Sequence, residues 1–123
     1  MLIMSLLLLA ASPAPQANVA DAGPGDLRTA DNRLNAQYRA TLAKMKARDA
    51  YKAPDALTGP SYQQALVAAQ RAWIVFRDTN CRAFGYEHRG GSAERLSTGL
   101  CLVRMTKART AELRLLASVL TPI

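Results

Sequence analysis

The sequence predicts an all-α fold, a small three-helix up-down-up bundle with one disulfide, on three observations. Three long segments carry apolar residues at helical spacing. Two turn-rich breaks, "KAPDALTGP" and "GYEHRGGS", separate them. No stretch alternates polar and apolar residues as a half-buried strand does. A length of 123 residues gives room for one domain.

Ahead of the helices, residues 2–11 are apolar apart from Ser5, and small and proline residues follow. That run is too short for a bilayer, which needs ~20 apolar residues. It reads as the core of a secretory signal peptide, with Ala20-Asp21-Ala22 as an A-x-A cleavage pattern. The domain boundaries are therefore 1–22 for the signal peptide and 23–123 for the helical domain. No Lys or Arg precedes the apolar run, so either translation starts further upstream or the amino-terminal charge acts alone. No cysteine follows it before Cys81, so lipid anchoring is not expected. The mature chain is expected to lack a membrane span and to be periplasmic or secreted.

The first helix is predicted over residues 26–52, with Leu27, Leu34, Tyr38, Thr41 and Met45 on one stripe. Prolines and a glycine stop it, and Pro60 suits the first turn of the second helix, predicted to residue 84. On that helix Tyr62, Leu66, Ala69, Phe76, Asn80 and Phe84 lie within ~60° of Trp73. Val67, Ile74 and Cys81 widen the face, so the middle helix is expected to form the centre of the domain, with Trp73 largely buried. Ser92 is the expected cap of a third helix running to residue 119. Its stripe is Thr98, Leu102, Met105, Leu113, Leu116 and Leu120, with Arg109 in the middle of it.

Arg77, at the border of the second helix's face, poses the same question as Arg109. A guanidinium among apolar residues needs hydrogen-bond acceptors. Either the two arginines form an anion site, or they are structural. A rise of ~1.5 Å per residue in an up-down-up bundle puts Arg77 level with Asp31 and Asn35. The same count puts Arg109 level with Gln70 and Thr41, and Glu112 lies one turn along its own helix.

Composition narrows function. The full chain carries a net charge of +7, with 16 Lys and Arg against 9 Asp and Glu. Signal cleavage removes only Asp21 among charged residues, so the mature surface is more basic still. Such a surface favours anionic partners, among them nucleic acid, lipopolysaccharide and anionic lipid. Lys44, Lys46, Arg48 and Lys52 form a cluster suited to phosphates. Neither a recognition helix nor an aromatic platform accompanies it, so nucleic acid is not an expected partner.

Two cysteines, Cys81 and Cys101, in an exported chain fit one bridge. Its Cα atoms should lie within ~7 Å. Two cysteines and a single histidine are poor zinc ligands, since structural zinc takes four, and no metal or cofactor is expected. His88 has no nucleophile placed beside it by spacing, the acids are scattered, and no nucleotide-loop or zinc-protease pattern occurs. An enzyme is not expected.

"LNAQYRATL", "AQRAWIVFRDTNC" and "CLVRMTKARTAEL" follow one another in an order that resembles the lysozyme inhibitor LprI-like family of bacterial envelope proteins. The shared positions include Leu34, Tyr38, Gln70, Trp73, Arg77, Asp78, Thr106, Arg109 and Leu113, which read as fold determinants. The resemblance implies an exported, helical, disulfide-bonded module and, in the named member, lysozyme inhibition by binding. Relatives resemble one another in further cysteines ahead of the first motif, which this chain lacks, so a second bridge is not expected. Common lysozymes are themselves basic, so long-range repulsion opposes this pairing. The "EHRGG" loop, with Tyr86, His88 and Arg89, is the candidate to reach acidic groups in a cleft. The leading reading is a binding module whose partner is lysozyme or another envelope protein. The alternative is a module that binds anionic envelope polymer or lipid headgroups through its basic surface.

Overall fold

The computed structural model describes residues 24–51 and 58–120. The expected signal peptide, including its cleavage region, lies outside them. Three helices run in order, α1 Pro24–Ala50, α2 Tyr62–Gly85 and α3 Ala93–Val119, with a 3-10 turn at Tyr86–His88 between the last two. No strand occurs among the described residues. No helix among them is long and apolar enough to cross a membrane.

The start of α2 differs from the sequence expectation. Pro60 lies outside the helix, and Ser61 is its cap. The Ser61 hydroxyl accepts the Gln64 N–H at 3.1 Å, and Gln64 Oε1 accepts the Ser61 N–H at 2.9 Å, a capping box. Asp49, near the end of α1, supplies the rest. Its two carboxylate oxygens accept the N–H groups of Tyr62 at 2.8 Å and Gln63 at 2.9 Å. Every free donor of the first turn finds an oxygen, and the carboxylate faces the positive end of the helix. Ser92 precedes α3 as expected but makes no side-chain capping bond.

The core is Leu34 and Met45 from α1, Leu66 from α2 and Leu113 from α3, with Tyr38, Leu42, Trp73, Leu116 and Leu120 packed against it. Helices α1 and α3 make the most extensive contact, so α2 is not the centre of the domain. Its buried seam is also rotated from the predicted face. Leu66, Gln70 and Cys81 are buried and Trp73 and Arg77 half-buried, whereas Tyr62, Ala69, Ile74, Phe76 and Phe84 are exposed. Arg77, at the border of the predicted face, lies with Gln70 in the middle of the interface. They sit there because Asp31 on α1 and Thr106 on α3 accept from Arg77, and Arg109 on α3 donates to Gln70.

Gly85, expected in a turn, is the last residue of α2 and buried. A methyl group there would collide with the Thr98 hydroxyl and lie 3.3 Å from the Glu94 carbonyl. Absence of a side chain lets the end of α2 close on the start of α3. Just above, Cys81 and Cys101 are bridged, with Cα atoms 5.4 Å apart.

Candidate functional site

The motif residues of α2 and α3 meet along one seam. Arg77 Nη1 donates to Asp31 Oδ1 on α1 and to the Thr106 hydroxyl on α3, both at 3.1 Å, and its Nε donates to Asp78 at 3.0 Å. One guanidinium thus touches all three helices. Arg109 Nε donates to Gln70 Oε1 at 2.9 Å, and Glu112 Oε1 lies 3.7 Å from its Nη1. The Trp73 ring lies beside both cations, 5.2 Å from Arg77 and 6.0 Å from Arg109. Guanidinium charge over an indole face is favourable, and most so where water is scarce.

Buried polar groups need partners, and here they have them. Among the described residues no buried side-chain nitrogen or oxygen is left unbonded. Both embedded arginines are held by protein acceptors, which fills the place an anion would take. Asn35 is exposed and does not meet Arg77; Asp31 does. Trp73 is half-buried, less enclosed than the sequence suggests, because the outer flank of α2 has no helix over it.

The α2–α3 loop is a separate feature at the disulfide end. Tyr86, His88 and Arg89 are all exposed, and the Arg89 guanidinium stacks 4.4 Å from the Tyr86 ring. The loop is tied at both ends. The Arg89 N–H bonds to the Tyr86 carbonyl, the Gly91 N–H to the His88 carbonyl, and the Gly90 N–H to Glu94 Oε1 at 2.8 Å. Gly90 has a φ of 82°, a left-handed conformation that a side chain would oppose.

The model of the lysozyme inhibitor LprI family matches residues 10–113. The chain belongs to the LprI family. It is similar to an uncharacterized protein of Rhizobium meliloti (strain 1021), 43% identical over 89 residues. That alignment covers 72% of this chain and 64% of the relative, so the chain spans just under two thirds of the relative's length. No solved structure matches the chain.

The LprI motif positions divide by environment. Leu34, Gln70, Thr106 and Leu113 are buried, Tyr38, Trp73, Arg77 and Arg109 half-buried, and Asp78 exposed. Two polar ties of this LprI module escape a reading by periodicity. The buried Thr41 hydroxyl donates to the Leu113 carbonyl at 3.0 Å, and Lys44 Nζ to the Ala117 carbonyl at 3.0 Å. Both acceptors are carbonyls within α3, which side-chain pattern does not mark. Lys44, read as part of a phosphate-contacting cluster, is held against α3 instead.

Proposed function

We propose that this protein is an exported binding module that inhibits lysozyme by protein–protein contact and carries out no reaction of its own. The family match over residues 10–113 carries this reading. The disulfide suits an oxidising, exported compartment. The contact is assigned to the α2–α3 loop, where Tyr86 and Arg89 form an exposed aromatic–guanidinium pair on a tied backbone. Tyrosine and arginine on a pre-formed surface give large contact area at little entropic cost, which is how interface anchors act.

The test is lysozyme turnover on peptidoglycan with increasing amounts of the purified protein, paired with calorimetric binding. Inhibition should saturate at a fixed stoichiometry, and Tyr86→Ala with Arg89→Ala should weaken it while the fold is kept. Both proteins are basic, so added salt should speed association by screening repulsion. Full lysozyme turnover at large molar excess of folded protein sinks the reading.

A further inference from the structure

The seam arginines are satisfied, so an anion has no place there. A different part of the molecule gathers cations without acids to match. Between α1 and α3 lies a cleft of about 370 Å³ lined by Asp26, Thr29, Ala30, Arg33, Lys107, Thr110 and Arg114. Arg33, Lys107 and Arg114 converge on it from two helices, and none has an ion-pair partner among the described residues. All three are exposed.

We infer that this cleft binds a phosphate monoester group. Among the described residues three cations stand against one carboxylate, Asp26, so the concavity is positive and suits a phosphate dianion better than a singly charged carboxylate. Arginine forks on opposite walls, Arg33 and Arg114, suit bidentate bonding to phosphate oxygens, with Lys107 as a point charge. The Thr29 hydroxyl adds a donor. Thr110 spends its hydroxyl hydrogen on the Thr106 carbonyl at 3.1 Å, so it shapes the floor and donates nothing. The floor itself is closed by the buried Ala30 and Thr110. The cleft shares no residue with the α2–α3 loop, so it stands whether or not lysozyme is the protein partner.

The experiment titrates glycerol 3-phosphate into the full protein at constant ionic strength, read by backbone amide NMR shifts. Saturable shifts are expected at Thr29, Arg33, Lys107 and Thr110, and acetate at equal ionic strength should give none. Binding should weaken below the second phosphate pKa of ~6, as the dianion is lost. Lys107→Gln with Arg114→Gln, both exposed, should reduce affinity by about tenfold or more, as loss of charge-assisted hydrogen bonds does. Arg71→Gln with Arg82→Gln on α2, both exposed, removes the same two charges and should change affinity less than about twofold.

Vesicles of phosphatidylcholine with phosphatidic acid, a monoester, then separate a lipid-borne group from a free one. Binding of either source that is lost in the double variant supports the site. Shifts spread over the whole basic surface, or an affinity equal in the cleft double variant and the α2 double control, overturn it.

Discussion

Arg77 on α2 donates to Asp31 on α1 at 3.1 Å, and the same nitrogen donates to Thr106 on α3. A cation with 15% side-chain exposure faces a carboxylate with 39%. Losing a partner of a buried pair costs ~3–5 kcal/mol, but the exposed carboxylate is partly screened. Asp31→Ala should therefore cost about 1–2 kcal/mol in urea unfolding, below the fully buried case. A double-mutant cycle with Arg77→Met should give a favourable coupling energy. Arg77→Lys should not restore the wild-type value, because one ammonium cannot span these acceptors while lying beside Trp73. Zero coupling would show that the register of the three helices is set elsewhere.

Gly85→Ala is a case where two effects oppose each other. In a helix this change ordinarily stabilises by ~0.5–1 kcal/mol. Here the new methyl meets Thr98 and the Glu94 carbonyl, and overpacking costs ~1–3 kcal/mol. The collision should win, with a net loss of about 1–2 kcal/mol. Thr98→Ala introduced alongside should recover most of it. A Gly85→Ala variant as stable as wild type contradicts the close approach.

Trp73→Ala should destabilise less than a fully enclosed tryptophan would. Full burial predicts ~3–5 kcal/mol, and the half-buried ring seen here lowers that to about 2–3 kcal/mol. Trp73→Phe should keep most of the stability, since the ring face beside Arg77 and Arg109 is retained. A loss of 5 kcal/mol or more for the alanine variant, taken as about the upper end of buried aromatics, would return Trp73 to the centre of the core.

Asp49→Ala removes two hydrogen bonds to the start of α2 and a negative charge from its positive end. Capping losses run ~0.5–2 kcal/mol, and the double acceptance places this one at about 1–2 kcal/mol. Hydrogen exchange should rise first at Tyr62 and Gln63. Exchange there unchanged from wild type would mean that Ser61 caps the helix alone.

The helices, their order and their breaks are readable from the chain alone, because they follow from local spacing, prolines and glycines. So is the bridge, because two cysteines in one short chain leave one pairing. The level count along antiparallel helices found the Asp31 and Gln70 acceptors, since a rise per residue is fixed by the backbone. The α2–α3 loop was legible as a break, but its ties through Gly90 and Glu94 were not. Which side of α2 faces inward depends on its packing against α1 and α3. Its apolar residues spread too far round the helix to choose, and periodicity favoured Phe76, which is 58% exposed, over Gln70, which is 6% exposed. Burying Gln70 and Arg77 is unfavourable for an isolated helix and becomes acceptable once Arg109, Asp31 and Thr106 complete their hydrogen bonds. The cleft of Arg33, Lys107 and Arg114 has the same origin. Arg33 lies more than seventy positions before Lys107 and Arg114 in the chain, and the pairing of α1 with α3 puts all three on one concavity.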